Sequence, residues 1–284
     1  FFPIESLGME IRTIQSAMAG VRRIDTFLAL PERSLPADRT EAVRGDVVLS
    51  HVTFGYGERP VLRDFSMTVG AGEQVTLVGR TGAGKSTVFR LLLGLYRPQA
   101  GSVTVGGTDV SEIPDSARRR CIGCVEQHFS RVPGTVADQI TLGDPAVTEE
   151  MAEKAAKLAG IDEAIRALPD GYATLCTDGM FSQGEWQLLS IARAAAADPA
   201  VLLLDEITAN LDAETEARVL EALRRASEGR TVLSVSHRIY RDLGGRIVEI
   251  GTQPAECAGT AAENAAVTTS GTVGENTVAT QNAA

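Results

Sequence analysis

The sequence predicts an α/β fold on a mostly parallel sheet, and three observations carry that expectation. Short apolar runs, Val75 to Val78, Val201 to Leu204 and Thr231 to Val235, alternate with helical patterns, as strands of a sheet covered on both faces do. A glycine-rich stretch, Gly79 to Thr87, joins the first of these runs to a helical pattern over Lys85 to Gly94. From about Val136 to Ala197 the chain turns Ala-rich, with helical patterns at Glu149 to Gly160 and Ser182 to Ala197, which reads as a helical insertion.

In chain order, Ile4, Leu7, Ile11, Ile14, Met18, Val21 and Leu28 recur at alternating three- and four-residue steps, with Asp25 as the one polar intrusion. That spacing is the seam of an amphipathic helix over residues 1–30. Pro31 and Pro36 end it, and the polar stretch to Gly45 reads as a linker, residues 31–45. Val47 to Phe54 and Leu62 to Val69 read as strands, followed by a turn at Gly70 to Glu73; Ser102 to Val105 and Ile122 to Val125 add two more. A helix is expected from Ala213 to about Ser227. Beyond Gly251 the composition falls to Ala, Thr, Gly, Asn and Val, with no Lys, Arg or aromatic residue, so 252–284 is expected to be a disordered tail.

Composition narrows the function classes. With 44% hydrophobic and 23% charged residues, the chain of 284 can bury a sizeable core, which excludes a collagen-like or wholly disordered protein. Lys+Arg 27 against Asp+Glu 37 gives 27 − 37 = −10, and a chain this acidic lacks the basic footprint that nucleic acid requires. No nucleic acid partner is expected. Four cysteines are too few for a disulfide framework and point to a reducing compartment. Cys121 and Cys124 fall where a strand is expected and lack a second ligand pair, and Cys176 and Cys257 have no metal-type spacing, so all four read as structural thiols. No run of 18 apolar residues occurs, no signal peptide pattern is visible, and the chain opens on Phe1 without Met, so a fragment is expected.

Two motifs carry chemistry. Gly79-Arg80-Thr81-Gly82-Ala83-Gly84-Lys85-Ser86-Thr87 matches the phosphate-binding loop, in the strand–loop–helix context that the match requires. Glycines let backbone amides curl around phosphates, the helix N-terminus adds partial positive charge, Lys85 reaches the outer phosphates and Ser86 holds Mg²⁺. The run Val201 to Leu204 then ends abruptly in Asp205 and Glu206. Taken alone, two acids there read as solvated loop residues. Beside a phosphate loop they become Asp205 supporting Mg²⁺ and Glu206 polarising the attacking water, because ligands bind at that edge of open α/β sheets.

With these residues in place the chain resembles an ATP-binding-cassette ATPase, and more narrowly the nucleotide-binding domain of an exporter-type transporter, over about Val47 to Gly251. Phe181-Ser182-Gln183-Gly184-Glu185, opening the helical run from Gln187, is similar to the family's signature. The resemblance implies a P-loop NTPase-type core with an antiparallel β subdomain and the inserted helical subdomain at about 136–197, together making an ATPase domain over 46–251. It implies that Tyr56 stacks on adenine, which needs the ring and not the hydroxyl, that Gln127 couples Mg²⁺ to the transmembrane part, that Asp212 is a dimer contact and that His237 is the switch histidine. Singly these are weak signals: Tyr56 is otherwise a packing ring, His237 a strand-end residue and Ser182 an ordinary helix cap. Implied cofactors are ATP and Mg²⁺. Implied partners are a missing transmembrane domain, with the first helix as the continuation of its last membrane helix, and a second such ATPase domain, identical or different. Implied localisation is the cytoplasmic face of a cell membrane.

Three features depart from the pattern. Glu185 stands where the family has Gln, Thr177-Asp178-Gly179 is a shortened version of the segment before the signature, and the chain passes from His237 to Gly245-Arg246-Ile247-Val248-Glu249-Ile250 without room for the usual extra strand. Two rival readings remain: a non-transport ATPase of the same superfamily, and a degenerate cassette that binds ATP and regulates without turnover.

Overall fold

The computed structural model describes residues 2–29, 43–57, 59–126, 129–205, 211–235 and 244–251, with side chains of the first helix from Gly8 onward. That helix, α1 (Phe2–Leu28), exposes every described side chain, its apolar seam included. The linker between 30 and 42 and the tail 252–284 lie outside the described residues.

Four strands form an antiparallel sheet in the order β2-β1-β4-β5: β1 (Val47–Phe54), β2 (Leu62–Val69), β4 (Ala100–Val105) and the two-residue β5 (Thr108–Asp109). Along β1 the buried residues Val47 and Leu49 give way to Val52 and Phe54, a change of phase that would turn half the strand outward in a regular ladder. A register shift between Leu49 and Val52 corrects it. His51 at φ 51° and Asp64 of β2 at φ 48° absorb the irregularity, their side chains 2.7 Å apart.

The second sheet is parallel, in the order β6-β7-β8-β3-β9, from β3 (Gln74–Val78), β6 (Ile122–Val125), β7 (Val201–Leu204), β8 (Thr231–Ser234) and β9 (Arg246–Glu249). Every residue of β7 is buried. Leu202 and Leu204 join one core cluster with the helices α7 (Gln183–Ala195) and α8 (Ala213–Ser227), while Val201 and Leu203 join another with α2 (Lys85–Leu92) and the antiparallel sheet. Both faces are covered, which is why the strand reads as an unbroken apolar run. At the edge, β9 pairs, among the described residues, only with β3 and is largely exposed.

Between β6 and β7 lie α4 (Val136–Thr141), α5 (Glu149–Ala159), α6 (Asp162–Arg166), a 3₁₀ turn (Gly171–Ala173) and α7. Local chemistry sets their ends: Thr135 and Asp138 form a capping box on α4, Thr148 caps α5, and Gly160 closes α5 at φ 76°. Two partly buried arginines brace this insertion. Arg119, from α3 (Asp115–Cys121), donates to the carbonyls of Ile140, Thr141 and Arg193, and Arg193 donates to those of Gln139 and Ser130 while lying 3.9 Å from the Phe129 ring centroid.

The structure corrects one detail of the cysteines: Cys121 ends helix α3, and only Cys124 lies in a strand, β6. Burial raises the Cys124 thiol to about 12, which makes it inert as a nucleophile. Among the described residues no group of three His, Cys, Asp or Glu gathers to hold a metal, and no helix is long and apolar enough to cross a membrane.

Candidate functional site

Strand β3 ends at Val78 and the chain curls at once, with Gly79 at φ 154°, Gly82 at 82° and Gly84 at 104°. A Cβ on Gly79 would lie 2.5 Å from the Ile250 carbonyl oxygen, and one on Gly84 would lie 2.8 Å from Leu62 Cδ2. The loop is therefore backed by the residue following β9 and by the start of β2. Gly84 is the N-cap of α2 and supplies no side-chain cap, which leaves the first-turn amides open toward an anion. Lys85 Nζ donates to the carbonyls of Gly79 (2.8 Å) and Arg80 (3.1 Å), and Ala83 N donates to Arg80 O (3.0 Å). The ammonium is thus held back over its own loop.

A cavity of about 420 Å³ opens here, lined by Tyr56, Thr81, Gly82, Gly84, Lys85, Ser86, Thr87 and Asp205, with Val61 and Val235 as apolar walls. Asp205 reaches it because β7 delivers it at the C-terminal edge of the sheet, where Asp205 N donates to Val125 O at 3.0 Å. Tyr56 forms the other wall. Its ring meets Phe54 and Tyr96 edge-on, at centroid distances of 5.1 and 5.3 Å, and stays 50% exposed. Its hydroxyl lies 3.3 Å from Thr87 Oγ1 and accepts from Arg90 at 3.0 Å, which fixes the ring against the helix of the phosphate loop.

The signature residues sit elsewhere. Ser182 caps α7 in a capping box: Glu185 Oε2 accepts from Ser182 N and Ser182 Oγ, both at 2.8 Å, and Ser182 Oγ accepts from Glu185 N at 3.3 Å. The Glu185 carboxylate turns back onto its own helix end. Gln183 is exposed and Gly184 buried. Asp212 caps α8, its carboxylate accepting from Thr215 N at 3.0 Å, and these hydrogen bonds hold its pKa below the usual carboxylate value. Neither Asp212 nor any of 182–185 lines the cavity of Lys85.

The structure therefore sorts the expected site residues into two groups. Tyr56, Thr81, Gly82 and Gly84 to Thr87 gather with Asp205 around one cavity, Gly79, Arg80 and Ala83 belong to the same loop without lining it, and Ser182, Gln183, Gly184, Glu185 and Asp212 occupy two helix N-termini outside it. Gln127, Glu206 and His237 lie outside the described residues, although β6, β7 and β8, which lead to them, end in register at Val125, Leu204 and Ser234. Sequence reasoning missed Arg90 and Ile250. Arg90 lies one residue off the apolar face of α2, and Ile250 touches the loop through a backbone atom that no side chain signals.

The description ABC transporter matches residues 62–209, just over half of the chain. The chain is 38% identical over 245 residues to the uncharacterized ABC transporter ATP-binding protein YfiC of Bacillus subtilis, covering 84% of this chain and 40% of that protein. It is 37% identical over 266 residues to the mycobactin import ATP-binding/permease protein IrtB of Mycolicibacterium smegmatis, covering 88% and 46%. Among solved structures, a bacterial Atm1-family ABC exporter with ATP bound superposes with a TM-score of 0.69 at 32% identity, over 88% of this chain and 45% of that one. The chain spans less than half the length of these relatives. The family match spans the phosphate loop and the inserted helices in one order, and the chain belongs to the ABC transporter family.

Proposed function

We propose that this chain is the motor of a membrane exporter, in which two such domains close head to tail around two Mg-ATP and reopen on hydrolysis. The observation that carries the proposal is the cavity in which Lys85, Ser86, Thr87 and Asp205 converge at the open N-terminus of α2. In it the loop amides and Lys85 bind the outer phosphates, Tyr56 stacks on the base, and the apolar walls Val61 and Val235 limit water. The donor set suits a hard cation. Ser86 and Asp205 offer oxygen atoms and no sulfur or imidazole, as a divalent ion bound mainly through substrate phosphates requires. When bound, Mg²⁺ neutralises charge on the transferring phosphate. In this reading Gln127 would couple the metal to the transmembrane part, Glu206 would orient the attacking water and His237 would serve as the switch histidine. Ser182 to Glu185 of one domain face the phosphates of the other, and Asp212 meets it beside them.

The rest of the transporter follows from the same reading. Helix α1 continues a last membrane helix, the membrane-embedded part selects the cargo, and this domain works on the cytoplasmic face. A second reading, a cassette that binds ATP and regulates without turnover, is favoured by one observation: the Ser182 amide and hydroxyl both donate to Glu185, so the hydroxyl is already engaged. Glu206→Gln decides between them. A motor loses its ATP turnover in that variant while retaining ATP binding; a regulatory cassette binds ATP and shows no turnover with or without the substitution.

A further inference from the structure

We infer that Gly184 is required by its packing against Thr215, and that this contact is a positioning joint locking the signature turn to the Asp212 turn. Gly184 lies inside α7, two residues after its cap, and its backbone is not left-handed, so conformation does not demand glycine there. A glycine at a helical position is less favourable than alanine by about 1 kcal/mol, which makes its presence a matter of space. A Cβ on Gly184 would lie 2.1 Å from Thr215 Cγ2, 3.5 Å from Thr215 Cβ and 3.7 Å from its Oγ1. The Thr215 methyl fills the notch that the missing side chain leaves.

Thr215 is not free to swing away. Its amide donates to the carboxylate of Asp212 at 3.0 Å, and a β-branched residue in a helix has few other rotamers. The Thr215 amide thus ties this residue to Asp212, its methyl seats in Gly184, and Gly184 shares its turn with the Ser182–Glu185 box. Two helix ends, about thirty residues apart in sequence, become one rigid edge. The inference rests on the proposed function in one respect: that edge is the surface offered to the second domain, so its internal geometry governs turnover and not ATP capture by the phosphate loop.

The test is a double-mutant cycle on the whole chain, with Gly184→Ala, Thr215→Ser and the pair. Thr215→Ser keeps the amide hydrogen bond to Asp212 and removes the obstructing methyl. Urea denaturation midpoint, ATP affinity and kcat are measured for each. Gly184→Ala is expected to lower kcat about tenfold or more by displacing the edge, with ATP affinity within about twofold of the unaltered chain. Thr215→Ser alone stays close to the unaltered chain, and the pair regains most of the lost kcat and midpoint. A pair as slow as Gly184→Ala alone would overturn the joint; so would a Gly184→Ala chain unchanged in both kcat and midpoint. Should Gly184→Ala fail to fold, a folded pair supports the joint and an unfolded pair overturns it. An unaltered chain without ATP turnover defeats the proposed function instead, and the midpoint cycle alone then decides the joint: restoration in the pair supports it and no restoration overturns it.

Discussion

Lys85 bonds two carbonyls of its own loop, and those bonds hold a full positive charge at the mouth of a cavity whose other donors are neutral amides and hydroxyls. Lys85→Ala should therefore abolish detectable ATP binding in calorimetry while leaving the thermal melt nearly unchanged, since the side chain is only half buried. Unchanged affinity in the folded variant would remove the phosphate-loop assignment. Tyr56 is a subtler case. As a stacking ring alone it predicts a silent Tyr56→Phe, but the hydroxyl is tied to Thr87 and Arg90, so the ring's orientation depends on it. Tyr56→Ala should weaken ATP by about 1–3 kcal/mol, the range for base stacking on aromatics. Tyr56→Phe should cost about 0.5–1.5 kcal/mol, the worth of a hydrogen bond, and equal affinities for Tyr and Phe would return the hydroxyl to irrelevance. The ring was legible in the sequence. Its hydroxyl partners, 31 and 34 positions away, were not.

At the level of elements, legibility followed length and local chemistry. Helix α8 begins after the Asp212 cap and runs to Ser227 as its spacing predicts, and β7 stands out because both of its faces are buried. What stayed hidden were β5, α3, α4 and α6, elements of two to seven residues whose periodicity is too brief to register and which tertiary contacts hold in place. The signature helix shows a different limit. Its start was readable, yet the direction of the Glu185 carboxylate, back onto Ser182, was decided by the helix end itself. Glu185→Ala should lower stability by about 1 kcal/mol through loss of half the capping box, read as a shift in denaturation midpoint. Glu185→Gln keeps an acceptor for the Ser182 amide and removes the charge, so it should keep the midpoint and raise ATP turnover at fixed protein concentration. Lower turnover in Glu185→Gln would mean that the carboxylate assists the reaction.

On the scale of the whole molecule, the decisive arrangement is the separation of two groups of residues, one around Lys85 and the other at the N-termini of α7 and α8. Nothing within the described residues brings Ser182 into the Lys85 cavity. A second copy, or a related domain, supplies the missing half in the proposed arrangement, and magnesium completes it, so chelation by EDTA should stop turnover in every variant. Ser182→Arg, a bulky charge on the exposed helix end, should suppress hydrolysis while leaving ATP binding by the single chain intact. The most direct test of the shared site is ATP turnover per molecule of unaltered chain, measured across a dilution series. The account predicts a rate per molecule that climbs with protein concentration until dimers saturate; a rate per molecule constant over the whole series would contradict it.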